Sequence, residues 1–217
     1  MVKKSHQNYQ NSDNKHLTPY TASLEIQTVP YRDTTQPIAQ HAQNLTVVIC
    51  ALVKDEDRYV DEWITFNKYL GFDRIHLYDN SEHGSSYIGY LPQKYGSFVH
   101  VYHYPAESPQ LRAYAHCGAR YNHSSVWAAF IDIDEFIILR KHATVKHLLH
   151  DVAPFGGAVS LNRVFFGSNN LTRYEDRPVV ERFTRRQTGL DTLVKTISYI
   201  PDVTLFEIHS SLLRRGT

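Results

Sequence analysis

Three acidic residues interrupt a long apolar segment near the middle of the chain. The segment Val126–Leu139, VWAAFIDIDEFIIL, carries Asp132, Asp134 and Glu135. Its β-branched and aromatic residues predict a buried central strand, where carboxylates are costly unless they are paired or bind a metal. Since side chains alternate along a strand, Asp132 and Asp134 would point to the same side. Two such carboxylates suit a hard divalent cation, to which we expect the chain to bring a phosphate-bearing ligand.

The alternative is a solvated strand end whose acids pair with Arg140 and Lys141, which follow closely. A D-x-D pattern by itself is a weak signal, because short motifs have many false positives. However, the apolar sequences AAFI and FIIL bracket the acids, and a surface turn would lack such flanks. We therefore favour a buried site at the end of a core strand.

The residues before the acids predict an alternation of strands and helices. An apolar strand in TVVICALV is followed by a helix at Arg58–Leu70, a strand at Arg74–Tyr78, a loop with a short helix at Glu82–Gly96, a strand at Phe98–Tyr104 and a helix at Gln110–Tyr121. This order predicts a single α/β domain with a mostly parallel sheet and helices on both faces.

Polar clusters follow three of the predicted strands. They are Lys54–Glu56, Asp79–Ser81 and Asp132–Asp134. Ligands of open parallel sheets bind beyond the carboxyl ends of the strands. The three clusters therefore predict one site along that edge of the sheet.

After the acids the pattern changes to shorter runs. We predict a helix at Thr144–His150 and strands at Ala158–Phe166, Val179–Phe183, Thr192–Ile200 and Val203–His209. A mixed, more antiparallel second half would form the side of the site that binds a second substrate, the acceptor.

Composition and charge limit the class of protein. Hydrophobic residues make up 42% and charged residues 21% of the chain, as in ordinary soluble globular proteins, and the net charge of +1 gives no electrostatic case for nucleic acid or an anionic membrane. Residues 1–44 are polar and without a clear period, which predicts a flexible extension before a domain at residues 45–217.

The two cysteines, Cys50 and Cys117, lack CxxC spacing. This argues against a disulfide framework and against a cysteine-based zinc site. A single bridge between them stays open, but the apolar strand around Cys50 favours a buried free thiol.

Several blocks of the chain match one known family in order and spacing. They are Lys54–Glu56 with YVDEWITFNKYLGFDRIHLYDNS; Gln110, Ala113, Tyr114, His116 and Cys117; Trp127 with FIDIDEF; FFGS; VERF; KTI; and His209. Together they resemble glycosyltransferase family 92 and related family-2-like GT-A enzymes with a DXD motif. Two blocks depart from the family pattern, because Asp55 replaces an Asn and FGSNN replaces FGSSG.

The resemblance implies a GT-A fold, which is Rossmann-like, and transfer of a hexose from a UDP-sugar or other nucleotide sugar to a glycan or glycoprotein acceptor. It also implies a divalent metal, Mn²⁺ or Mg²⁺, that stabilises the charge developing on the diphosphate leaving group. Asp134 is expected as the direct metal ligand, Asp132 as a metal or ribose contact, and His209 as the third ligand. An imidazole ligand favours manganese. The alternative for His209 is a packed or surface residue.

Other matched residues are expected around the donor. Asp79 would accept a hydrogen bond from the base or ribose, or else cap a turn before Ser81. Lys54 and Glu56 would meet the nucleotide, although acids also favour a helix N-terminus. Lys195 would neutralise phosphate, or be a solvated surface lysine.

The remaining expected contacts concern the sugar and the acceptor. Gln110 would touch the donor sugar. If the reaction inverts, as we expect, a carboxylate must accept the proton of the acceptor hydroxyl. Glu181, in the VERF block, is the preferred base, and Asp176 and Glu175 are the other candidates.

Three rival functions remain open. A metal-dependent phosphoesterase would need a denser ligand set, and no His-x-Asp or His-x-His cluster lies near the acids. A glycoside hydrolase with a D-x-D-x-E strand end is disfavoured because Phe136 occupies the Glu position. The third rival is a non-catalytic module that binds a sugar nucleotide or a glycan.

The expected location follows from the absence of targeting segments in the sequence. No segment is long and apolar enough to span a bilayer, and the N-terminus lacks the core of a signal peptide. We therefore expect a soluble, cytoplasmic chain, with a Golgi-type location only if it is a fragment lacking the membrane anchor common in eukaryotic members.

Overall fold

The computed structural model describes residues 2–4 and 45–214. The flexible extension predicted at residues 1–44 therefore lies outside the described residues, except for one short strand. No helix within the described ranges combines the length and the apolar character needed to cross a bilayer.

Ten strands and five α-helices make up the described chain. The strands are β1 Val2–Lys4, β2 Thr46–Val53, β3 Arg74–Asp79, β4 Val99–His103, β5 Val126–Phe130, β6 Ala158–Asn162, β7 Val164–Phe166, β8 Val194–Tyr199, β9 Val203–Phe206 and β10 Ser211–Leu213. The helices are α1 Val60–Tyr69, α2 Ser86–Tyr95, α3 Gln110–Ala119, α4 Val145–Val152 and α5 Val179–Arg182.

Six strands form the central sheet, in the order β4-β3-β2-β5-β8-β6. The first four are parallel to one another, whereas β8 runs antiparallel to both of its neighbours. The prediction of a mostly parallel, mixed sheet in one α/β domain is therefore confirmed. The remaining strands form two small sheets, with β1 parallel to β7 and β9 antiparallel to β10.

Helices cover both faces of the sheet. Trp63 and Ile64 of α1 pack on one face in the larger hydrophobic cluster, together with residues of α2 and α4. Tyr114 and Cys117 of α3 pack on the other face with Cys50 of β2. Burial on both faces explains why the sequence of β2 is apolar without alternation.

The segment that carries the three acids is a buried turn rather than a strand. Strand β5 ends at Phe130, and the N–H group of Glu135 donates to the carbonyl of Asp132 at 3.1 Å. The Glu135 carboxylate also accepts from the backbone N–H of Asp132 at 2.9 Å. These bonds turn the chain back on itself, so the same-side argument from strand alternation was wrong.

Two further expectations about local structure were wrong. Residues 179–183 were predicted as a strand, but residues 179–182 form the short helix α5, which follows Pro178 and whose first N–H group donates to Glu62. The last predicted strand ends early, because β9 stops at Phe206 and His209 lies in the turn before β10.

The cysteine prediction is corrected as well. Cys50 and Cys117 form a disulfide rather than two buried thiols. Because α3 packs directly on β2, their Cα atoms lie 6.2 Å apart, which is within the usual range for a disulfide.

Candidate active site

The predicted polar clusters lie together at the carboxyl edge of the sheet. Val53, the last residue of β2, pairs with Asp79, the last residue of β3. On the other side of β2, Cys50 pairs with Phe130, which ends β5. Residues 54–56, 79–81 and 132–135 therefore follow neighbouring parallel strands at one edge, where open α/β sheets bind their ligands.

A buried ion pair organises the acidic turn. Lys195 of β8 is fully buried and its Nζ atom lies 3.1 Å from Asp132 Oδ2 and 3.2 Å from Glu135 Oε2. Gln110, the first residue of α3, donates from Nε2 to Asp132 Oδ1 at 2.9 Å. We call these four residues the Lys195 cluster. It joins β8, α3 and the acidic turn.

Glu135 is the most deeply buried acid of the cluster, with an exposed fraction of 0%. Its Oε1 atom makes no hydrogen bond to any residue in the described ranges. Burial, followed by the charge of Asp132, raises the pKa of Glu135, and the Lys195 ammonium only partly opposes this. A buried carboxylate is expected to be either paired or bound to a metal, and Glu135 is paired with Lys195.

Helices on opposite faces of the sheet hold this turn in place. Trp63 of α1 donates from its indole nitrogen to the carbonyl of Glu135 at 2.9 Å. On the other face, Gln110 also donates to the hydroxyl of Tyr114, which packs against Phe130. The matched blocks that contain Trp63 and Gln110 thus support the acidic turn directly.

Asp79 caps the turn after β3. Its carboxylate accepts hydrogen bonds from the Ser81 N–H and hydroxyl groups and from the Ser85 N–H group, at 2.6 to 3.0 Å. The capping alternative is therefore confirmed. The contact with a nucleotide base or ribose stays a prediction.

The two departures from the family pattern have a common backbone explanation. Asp55, Asn169 and Asn170 adopt positive φ angles of 57°, 54° and 61°. Among residues with a side chain, Asn and Asp tolerate this left-handed conformation best. Asp55 therefore suits the turn between Lys54, which is exposed, and Glu56, which is half-buried, and Asn169 and Asn170 suit the turn that follows β7.

The segment with the predicted catalytic base packs against the start of α1. Glu62 accepts from the Val179 N–H group at 2.8 Å, and the rings of Tyr59 and Tyr174 meet edge to face. Because α1 begins just after β2, this contact brings residues 174–183 to the carboxyl edge of the sheet. Glu181 and Asp176 are both exposed there.

The three predicted metal ligands are not assembled into one preformed site. Asp132, Asp134 and His209 are each half-buried. Across residues 2–4 and 45–214, no group of three His, Cys, Asp or Glu side chains is placed to hold an ion. The metal therefore stays a prediction.

Sequence comparison identifies the family. A model of glycosyltransferase family 92 matches residues 43–211, well over half of the chain. The chain belongs to glycosyltransferase family 92.

Curated family 92 proteins from plants show the extent of the similarity. Those of Oryza sativa subsp. japonica and Ricinus communis are 28% and 26% identical over 144 residues, which is 65% and 64% of this chain. One from Arabidopsis thaliana is 25% identical over 183 residues, or 77% of this chain. The alignments cover 25%, 26% and 32% of these relatives, so the chain spans about a quarter to a third of their length.

Sequence reasoning assigned no role at the site to Glu135, Trp63 or Glu62. Glu135 was visible as the third acid of an apolar segment, and the cost of burying it pointed to a partner. Trp63 and Glu62 lie in a matched block, but their partners are 72 and 117 residues away. No local pattern could have identified those contacts.

Proposed function

We propose that this family 92 domain is a metal-dependent, inverting glycosyltransferase of the GT-A type. It transfers a hexose from a UDP-sugar to a glycan or glycoprotein acceptor. The observation that carries the proposal is the meeting of the acidic turn, the Asp79 turn and the segment with Glu181 at the carboxyl edge of the sheet. Family membership supports the same reaction class.

The chemistry of the acidic turn fits a hard cation. Asp132 and Asp134 are half-buried carboxylates on one turn, and Mg²⁺ and Mn²⁺ commonly bind one or two carboxylates plus substrate phosphate oxygens. When bound, the cation would stabilise negative charge on the diphosphate leaving group.

The residues of the chain have distinct roles in this proposal. Asp134 and Asp132 would hold the cation, with His209 as a third ligand. Gln110 and Lys195 fix the Asp132 carboxylate, since both of its oxygens contact them. Glu181 takes the proton of the acceptor hydroxyl. As it does so, the hydroxyl oxygen attacks the anomeric carbon of the donor sugar, and the nucleoside diphosphate leaves.

The remaining predicted contacts complete the donor site. Lys54 and Glu56, which come just after β2, and Asp79, the last residue of β3, contact the nucleotide, because they lie at the edge of the sheet where the diphosphate would bind. Asp176 is the second candidate for the base. Lys195 acts on the donor through Asp132, since its ammonium is buried between two carboxylates.

The first test is a calorimetric titration of UDP in manganese and in EDTA, with GDP as the nucleotide control. We expect UDP binding that requires the metal and that is weakened at least about tenfold, ~1.4 kcal/mol, by Asp134→Ala. Asp151→Ala, which removes an exposed carboxylate on α4, serves as the matched variant and should bind UDP normally.

Two outcomes of that titration would contradict the proposal. UDP binding that is unchanged in EDTA would contradict the metal requirement. If neither nucleotide binds under any condition, the transferase function is contradicted and phosphoesterase substrates should be tested. Metal-dependent binding would be followed by transfer assays with UDP-hexoses, in which Glu181→Gln should lower kcat and leave UDP binding unchanged.

A further inference from the structure

Two exposed asparagines begin N-x-S/T tripeptides. Asn122 begins Asn-His-Ser and Asn170 begins Asn-Leu-Thr, and both side chains are exposed. A third tripeptide begins at Asn44, outside the described residues. N-x-S/T with x other than proline is the acceptor sequence for N-linked glycans in secreted proteins. The sequence alone makes this a weak signal, so the structural setting decides.

Asn122 lies in the turn between α3 and β5. The Ser124 N–H group donates to the carbonyl of Tyr121 at 2.9 Å, and residues 122–125 are all exposed. This turn precedes a parallel strand, so it lies at the amino edge of the sheet, opposite the candidate active site. A glycan there would leave the site open.

Asn170 lies in the turn after β7. The Leu171 N–H group donates to the carbonyl of Ser168 at 2.9 Å. The neighbouring Asn169 points the other way, since its side chain donates to the carbonyl of Arg182 at 2.7 Å. Asn170 therefore faces solvent beside the segment that carries Glu181.

The disulfide is independent evidence for the cell compartment in which the chain folds. Cys50 and Cys117 are both fully buried and bonded to each other. Disulfides form and persist in oxidising compartments and are rare in the cytosol. The lumen of the secretory pathway is oxidising, and N-linked glycans are added there, so the bond and the two tripeptides indicate the same location.

We propose that this domain folds in the secretory pathway and carries N-linked glycans on Asn122 and Asn170. Glycosylation transfers a glycan from a lipid diphosphate to the asparagine. The amide Nδ2 forms a bond to C1 of the first sugar, and the bond between C1 and the lipid diphosphate breaks. The amide loses one proton to the host oligosaccharyltransferase, and the lipid diphosphate leaves. This location differs from the cytoplasm expected from the sequence.

The test is expression of the full chain behind a secretory signal in a eukaryotic cell, with Asn44→Gln in every variant. We expect two steps of gel mobility that peptide N-glycosidase removes, and one fewer step in each of Asn122→Gln and Asn170→Gln. Ser124→Thr and Thr172→Ser should keep the glycans, whereas Ser124→Ala and Thr172→Ala should lose them. Peptide mass spectrometry assigns each site.

The folded state is checked by blocking free thiols, which should leave Cys50 and Cys117 unmodified until a reductant is added. An unmodified Asn122 or Asn170 in the folded, disulfide-bonded chain would overturn the assignment of that residue. Equal stability of the chain with and without a reductant would overturn the inference about the compartment. Neither result would bear on UDP binding, which tests the proposed function separately.

Discussion

At the residue scale, the Lys195 cluster places a buried ion pair in the candidate site. A fully buried ammonium lies within 3.2 Å of two carboxylates, of which Glu135 is itself fully buried. Such an arrangement adds little net stability relative to an apolar core, but removing one partner leaves a buried charge unpaired. We therefore expect the cluster to act mainly by holding the acidic turn in one conformation.

Lys195→Met should lower the free energy of unfolding by about 3–5 kcal/mol, because Asp132 and Glu135 then lose their cation. Adding Glu135→Gln should recover part of the loss by removing one of the stranded charges. Urea denaturation measures both. The control is Lys141→Met, which replaces an exposed lysine just beyond the turn. If Lys195→Met is as stable as Lys141→Met, the cluster is not needed to hold the turn.

His76 is a second buried titratable residue, on the opposite face of β3 from α1. Its ring nitrogens contact the hydroxyls of Tyr102 and Tyr121 at 3.2 and 2.6 Å. Burial, followed by nearby positive charge from His100 and Arg120, lowers the pKa of His76 to about 3. The imidazole is therefore neutral in the folded protein across the physiological range.

This shift predicts that acid destabilises the protein through His76. The unfolded chain binds the proton near pH 6.5 and the folded chain only near pH 3, so stability from this group is complete above pH 6.5 and is lost as the pH falls toward 3. The loss is about 1.4 kcal/mol per pH unit. His76→Gln should flatten the dependence measured by urea unfolding, whereas exposed His123→Gln should not; an unchanged slope in His76→Gln would contradict the assignment.

At the element scale, α1 connects the two halves of the candidate site. From its first turn, Glu62 caps α5 and Trp63 holds the carbonyl of Glu135. The segment with the predicted base and the turn with the predicted ligands are thus positioned by adjacent residues of one helix. A shift of α1 would move both halves together.

Glu62→Ala should free the first N–H groups of α5 and cost about 1 kcal/mol, as loss of a helix cap does. The amides of residues 179–183 should then exchange with solvent hydrogen faster than in the wild type. Glu62→Gln retains an oxygen that can accept these bonds and should show a smaller change. Equal exchange rates in the wild type and Glu62→Ala would show that α5 does not depend on this contact.

At the scale of the whole molecule, the disulfide fastens α3 to the central strand. It joins residues 67 positions apart, and α3 carries Gln110, which holds Asp132. The bond therefore stabilises the fold and the support of the acidic turn at the same time.

Reduction of the disulfide should lower the free energy of unfolding by about 4 kcal/mol, since a closed loop of this size restricts the unfolded chain strongly. Thermal unfolding with and without dithiothreitol measures the effect. The double variant Cys50→Ala/Cys117→Ala should be insensitive to the reductant. A reductant effect of equal size in that variant would show that the bond is not its cause.

The sequence by itself determined the alternation of β2 to β5 with helices, because apolar periodicity is local and needs no partner. It also determined the family, since the matched blocks keep their order and spacing, and it placed the polar clusters at strand ends. These predictions were confirmed by the sheet order and the family match.

Only the tertiary structure decided the features that depend on distant partners. The acids form a turn because Glu135 bonds back to Asp132 while Lys195, 63 residues beyond Asp132, lies between their carboxylates. Residues 179–182 are helical where Glu62, 117 residues earlier, accepts their first N–H group. The cysteines are bonded because α3 packs on β2. In each case a long-range contact outweighs the local preference of the chain, and such a contact exists only once the sheet and its helices have assembled.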